Sequence, residues 1–228
     1  MGQLDGKIAV ITGGSRGLGK VILDLFKQEG ATTINLSRSN GFDLLPIDYE
    51  GRLATLKHVD ILVNNAAMQG PVGDLADNDW HHWTDTMELN FLVPVALCRW
   101  ALKRGVTKIV NISGGGAAGP RPQYTAYSAN KAALVRFSEC LSEEYLGLDV
   151  NCVAPGQMGP MGSDHIGFEE VMRNAAELVL VLSVLPIGNV TGRLISSQWD
   201  DWKKPGFVSR MADEDLYTLR RVGEGFGS

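Results

Sequence analysis

Short apolar runs rich in β-branched residues alternate along this chain with longer stretches whose apolar positions recur every three to four residues. Runs of the first kind predict strands buried on both faces, and the second kind predict amphipathic helices. Lys7–Thr12 (KIAVIT) reads as such a strand and Gly17–Glu29 as the helix after it, stopped by Gly30. Thr32–Leu36 predicts the second strand, Leu44–Ile47 a short third, Arg52–His58 a brief helix, and Val59–Val63 another buried strand. Trp80–Lys103 predicts a long helix kinked at Pro94, Lys108–Ile112 a strand, and Tyr127–Tyr145 a strongly periodic helix. Asp149–Val153, closed by Pro155-Gly156, the helix Phe168–Leu182 and a last strand at Arg193–Ser196 complete the set.

Strands separated by helices of this length predict βαβ units. The expected fold is therefore α/β: a single doubly wound Rossmann domain over residues 1–228, with a parallel sheet of about seven strands. The tail 203–228 is polar and Gly-containing, and reads as a mobile end.

Charge narrows the function classes. Lys and Arg number 21 against 26 Asp and Glu, for a net charge of −5, and the pI is near 5.4. That balance argues against a nucleic-acid binder and against adhesion to anionic membranes. The N-terminus lacks the apolar core of a signal peptide, and no apolar run approaches membrane-spanning length, so a cytoplasmic location is expected. Cys98, Cys140 and Cys152 form no C-x-x-C pair and read as buried, reduced thiols. His58, His81, His82 and His165 have no metal-ligand spacing, so no metal is expected.

The hand-over from first strand to first helix carries Thr12-Gly13-Gly14-Ser15-Arg16-Gly17-Leu18-Gly19. Glycines there let backbone approach a phosphate, and the helix N-terminus offers unpaired N–H groups. A P-loop is excluded: the residue after Lys20 should bring a hydroxyl to Mg²⁺, and it is Val21. In a dinucleotide site the ribose-reading position lies about 20 residues on, which here is Ser37-Arg38. No carboxylate stands there for a 2′-hydroxyl. Arg38, with Arg16, instead suits a 2′-phosphate, so NADP is favoured over NAD.

Tyr127 and Lys131 are one helical turn apart, and Ser113 ends the strand Lys108–Ile112 at the carboxyl edge of the sheet, where such folds bind ligands. A free phenol titrates near ~10, too high for acid–base work at neutral pH. An ammonium at about 4 Å with an effective dielectric of ~20 is worth roughly 4 kcal/mol, which would lower the phenol by around three units. Ser113 would hold the substrate oxygen beside the phenol, with hydride supplied by a nicotinamide.

With the glycine turn, Ser113 and Tyr127-Ser128-Ala129-Asn130-Lys131 together, the chain resembles the short-chain dehydrogenase/reductase family from about Lys7 to Gly156. The resemblance implies an NAD(P)(H)-dependent oxidoreductase that interconverts a carbonyl and a secondary alcohol, with Tyr127 as acid/base beside Ser113 and Lys131. It places Asn90 in a proton relay next to the lysine. Its cofactor site would comprise Gly13, Ser15, Arg16, Gly17, Leu18, Gly19, Ser37, Arg38, Asp48 near the adenine, Asn65, Ala66, Tyr127, Lys131, Pro155 and Gly156. It also implies a homodimer or homotetramer built on the helices that carry Leu134, Phe137 and Leu141. Three departures stand out. No Thr follows Pro155-Gly156 in Gln157-Met158-Gly159-Pro160-Met161, the segment after the second strand is short, and the usual glycine pair after the last strand is replaced in Ser197-Gln198-Trp199.

A serine hydrolase is disfavoured because Asn111 stands where the nucleophile elbow needs glycine. Trp80, Trp83 and Trp100 read as packing for the long helix. The other candidate functions are a cofactor-retaining epimerase or sugar-modifying enzyme, and a non-catalytic dinucleotide sensor.

Overall fold

The computed structural model describes residues 1–45, 47–156, 167–211 and 217–219. The buried runs of the sequence become parallel strands: β1 (Ile8–Thr12), β2 (Thr32–Leu36), β3 (Ile61–Asn64), β4 (Lys108–Ile112), β5 (Asp149–Ala154) and β6 (Leu194–Ser196). They lie in the order β2-β1-β3-β4-β5-β6, every pairing parallel. The chain runs outward from β1 to β2, then crosses back to β3, so the switch point lies between the carboxyl ends of β1 and β3.

Alternate residues serve opposite faces. Ala9, Ile11, Ile61, Val63, Val110 and Val153 pack with α1 (Gly17–Gln28) and α6 (Phe168–Val184). Val10, Leu62, Ile109 and Val150 pack against the other layer, which includes α2 (Tyr49–Arg52), α4 (Val93–Leu102) and α5 (Thr125–Glu144). A strand covered on both sides has no polar face to show, which is why these runs read as continuously apolar. Among the described residues no helix is long and apolar enough to cross a membrane, and no group of three metal-ligating side chains occurs.

The sheet has six strands among the described residues rather than about seven, because Leu44–Ile47 is not a strand. Pro46, which lies outside the described residues, carries no N–H for a ladder, and the segment is too short for a covering helix. Leu44, Tyr49 and Leu53 are instead buried directly against the α4 layer. The predicted helix Arg52–His58 likewise gives way to the four-residue α2, capped by the Asp48 side chain.

The long helix is α3 (Trp80–Met87) followed by α4, joined by one widened turn, Glu88–Leu92. Pro94 withholds an N–H from this stretch and interrupts the ladder. Leu134 and Leu141 are buried, and Phe137 packs edge-on against Phe91, so these residues belong to the core rather than to a free face. Cys98 and Cys152 are buried as expected, but Cys140 is exposed.

Polar groups close the amino edge of the sheet. Lys7 pairs with Asp60 at 3.0 Å. Deeper in, Lys108 pairs with Asp149 at 2.5 Å and also donates to the Leu185 carbonyl, while Asp149 accepts from the Gly188 N–H. The functional residues gather at the opposite, carboxyl edge.

Candidate active site

Residues Gly13–Gly19 fold into a tight crossing. Gly13 sits at φ +66°, left-handed backbone that glycine adopts without strain, and its N–H donates to the Leu36 carbonyl. A Cβ on Gly19 would strike the Gly13 carbonyl and the Asn65 amide. Gly19→Ala is therefore expected to cost about 1–3 kcal/mol of stability, read in chemical denaturation, and to weaken dinucleotide binding in a direct titration. The first turn of α1 has no acidic residue, and Arg16 caps it with extended backbone and no side-chain bond. Its N–H groups and positive dipole end thus remain suited to an anion.

The turn is braced by its neighbours, among them Asn35, which the sequence did not mark. Asn35 accepts from the Gly14 N–H at 3.0 Å and donates to the Ser15 hydroxyl, which also contacts the Ser37 hydroxyl at 2.5 Å. The Thr12 hydroxyl accepts from the N–H groups of both Asn65 and Ala66 at 2.9 Å. Asn65 returns an amide bond to the Thr12 carbonyl, so β1 and β3 are locked together at the switch point. An asparagine inside a strand is unfavourable unless its amide has work, and that was the available signal for Asn35.

Past β2, Ser37 is buried and Arg38 opens a short exposed turn, Arg38–Asn40, with its guanidinium in solvent. Asp48 is also exposed, and its carboxylate accepts from the Gly51 N–H to cap α2.

The catalytic candidates converge at the end of β4. Lys131, buried on α5, donates from its ammonium to the Ile112 carbonyl at 2.7 Å. The Ser113 hydroxyl donates back to the Lys131 carbonyl at 3.3 Å. These opposed bonds stitch the helix to the strand end. Tyr127 lies one turn earlier, and its hydroxyl rests against Gly114, where a Cβ would come within 2.8 Å of the phenol oxygen. Gly114 is thus a site residue by close approach; the three glycines directly after Ser113 were its trace in the sequence.

One electrostatic expectation fails. The Lys131 ammonium sits over the Tyr127 ring, 5.6 Å from its centroid, and is bonded to Ile112 rather than aimed at the hydroxyl. Burial pushes the Tyr127 phenol above its usual value, against a smaller downward pull from the Arg121 guanidinium. Lys131 itself is drawn down to about 8, chiefly by burial. Burial thus favours the neutral form of the phenol.

Asn90 sits buried in the widened turn, but its amide is bonded on both sides to the Met68 backbone, at 2.9 and 2.8 Å. The side chain thus anchors the segment after Asn64-Asn65-Ala66-Ala67. Pro155 and Gly156 end β5. Ser197 donates to the Pro155 carbonyl, and Gln198 packs on Gly156. Gln157–Met161 and His165 lie outside the described residues. Of the tryptophans, Trp100 is core, whereas Trp80 is 65% exposed and stacks on Trp83.

Comparison with known proteins agrees with this geometry. The model of the short chain dehydrogenase family matches residues 49–165. The 3-oxoacyl-acyl-carrier-protein reductase FabG of Vibrio harveyi is 34% identical over 186 residues, 68% of this chain and 74% of that one. L-fucose dehydrogenase of Rattus norvegicus is 29% identical over 184 residues, 69% and 68% of the two chains. Among solved structures, a short-chain dehydrogenase of Escherichia coli CFT073 complexed with NADPH superposes with a TM-score of 0.75 at 24% identity, over 86% of this chain and 98% of that one. The aldohexose dehydrogenase of Thermoplasma acidophilum gives 0.74 at 21% identity, over 85% and 92%. A family model that matches over half of the chain, with a relative 34% identical over two thirds of it, settles the assignment: the chain belongs to the short-chain dehydrogenase family.

Proposed function

We propose that the protein is an NADP(H)-dependent oxidoreductase that interconverts a small carbonyl compound and its secondary alcohol. One observation carries this reading: the Tyr127 hydroxyl lies at Gly114, next to Ser113, at the carboxyl edge of the sheet. A dinucleotide fits the chain on structural grounds, because Gly14 and Gly19 are packed too tightly to carry a Cβ and the tight turn leaves bare backbone at the start of α1 for a diphosphate. Gly13, Ser15, Arg16, Gly17, Leu18 and Gly19 would hold the diphosphate, Ser37 and Arg38 the adenosine ribose, and Asp48 the adenine side. Asn65, Ala66, Pro155 and Gly156 would line the remainder of the cleft. When bound, the nicotinamide supplies or accepts the hydride.

The residues of the chain then divide the remaining work. Ser113 turns its hydroxyl from the Lys131 carbonyl to hold the substrate oxygen, and Tyr127 delivers its proton to that oxygen as the carbonyl is reduced. Lys131 fixes the end of β4 through Ile112 and sets a positive charge across the phenol ring. The NADPH complex of the E. coli structure and the reductase activity named for the Vibrio relative support the same cofactor and direction.

Arg38 supplies the test of cofactor choice. Arg38→Ser is expected to raise KM for NADPH about tenfold, the scale of one exposed charge-assisted contact, and to leave NADH unchanged. Equal effects on both cofactors would reject the 2′-phosphate role. A pH profile tests Lys131. Folded Lys131 titrates near 8 and an unfolded lysine near ~10.4, so between these values the unfolded chain holds more proton and stability from this group rises with pH. Turnover runs the other way: kcat falls as pH passes about 8 and the ammonium is lost.

A further inference from the structure

The segment Tyr217–Leu219 returns to the sheet and bridges it to the catalytic helix. At its first residue, the Tyr217 carbonyl accepts from the Leu194 N–H at 2.7 Å, on the side of edge strand β6 that faces away from β5. Tyr217 packs against the α1–α6 core, at φ +58°. Two residues on, α5 reads the Leu219 backbone from both sides: the Leu219 N–H donates to the Glu139 carboxylate at 2.7 Å, and the Arg136 guanidinium donates to the Leu219 carbonyl at 2.5 Å. Arg136 and Glu139 are themselves paired at 2.5 Å, one turn apart. Leu219, like Leu194, packs against the buried cluster of Ala117, Val135 and Cys152.

Those contacts matter because of what they join. Ala117 lies four residues after Ser113, Val135 one turn beyond Lys131, and Cys152 on β5 just before Pro155-Gly156. One leucine therefore packs on a small cluster drawn from all three elements that carry the proposed chemistry. Arg136 and Glu139 recognise the strap through its backbone, so any residue at 219 would be gripped, but only a mid-sized apolar side chain also fills the Ala117–Val135–Cys152 niche.

We propose that Tyr217–Leu219 is a positioning strap for the active site, with Leu219 its anchor and Arg136 and Glu139 its clamp, holding the Ser113 loop and α5 in register. The assignment rests on the oxidoreductase reading for its kinetic effect, but not for its structural one. Two measurements on the full chain therefore separate the two. In Leu219→Asp, hydrogen exchange is expected to quicken at residues 114–118 and 131–139 and to stay unchanged at 8–28, around the glycine turn. The same variant is expected to lose kcat at least tenfold while its dinucleotide Kd stays within twofold of the parent, because misplaced groups cost rate without touching the diphosphate cradle. Leu219→Met, which refills the niche, should restore both. Unchanged exchange, or a loss of kcat and dinucleotide affinity in parallel, overturns the strap. An unsubstituted protein that neither binds dinucleotide nor turns over overturns the oxidoreductase reading, and exchange alone then decides the strap.

Discussion

Tyr127→Phe is expected to lower kcat by about 10²–10⁴-fold, the range for loss of a positioned general acid, while leaving dinucleotide Kd within twofold. The substitution removes one oxygen and keeps the ring. The Lys131 ammonium bonds to Ile112 and only overlies that ring, so its place survives, and the Ser113–Lys131 bond does not involve the phenol. Gly114, which accommodates the hydroxyl, is relieved of a close contact rather than strained. The same hydroxyl that gives the proton in reduction takes it back in oxidation, so kcat/KM should fall in both directions. Steady-state rates in both directions for the variant and its parent make the comparison. A variant with full reductive turnover would remove Tyr127 from the chemistry.

Lys108→Met should cost about 3–5 kcal/mol of unfolding free energy, because it strands the Asp149 carboxylate in a nearly closed site. The pair links the amino ends of β4 and β5, and Lys108 also carries the Leu185 carbonyl at the end of α6. Asp149 would keep its bond from the Gly188 N–H but lose its counter-charge. Replacing both members together, Lys108→Met with Asp149→Leu, should recover much of the loss, since a fully apolar pair leaves no uncompensated charge. Urea unfolding of the single and double variants measures this. The site lies at the other edge of the sheet, so residual kcat in the folded fraction should be close to that of the parent.

Much of this was legible from periodicity. Strands covered on both faces announce themselves as apolar runs, and Thr32–Leu36 and Lys108–Ile112 fall on β2 and β4 to the residue. Leu44–Ile47 failed because apolar residues that dock directly on a helix layer look the same, over four positions, as a short strand. Pro94 marked the break in the long helix, but a proline signals lost hydrogen bonding and not the form of the turn that replaces it. The site divided along similar lines. Gly13 and Gly19 share one turn, Tyr127 and Lys131 one helical face, and Ser113 follows a strand, so local pattern marks each of them and the parallel sheet brings them to one edge. Asn35, Gly114 and Gln198 act across the fold on Gly14, Tyr127 and Gly156, pairings that no local spacing encodes. Charge states were the least legible: a four-residue spacing puts Lys131 beside Tyr127, yet the hydrogen bond to Ile112 decides where the ammonium points. The same holds for Asn90, whose place in the chain does not reveal that Met68 takes its amide.

Isotope tracing bears most directly on the proposed chemistry. NADPH deuterated at the nicotinamide C4 would be mixed with the protein and a panel of small ketones, and the products examined by mass spectrometry and NMR. Deuterium on the carbinol carbon of a single alcohol enantiomer, lost in Tyr127→Phe, is the predicted result. Deuterium retained entirely in the dinucleotide across the panel, or an equal yield of labelled alcohol from the Tyr127→Phe protein, would contradict it.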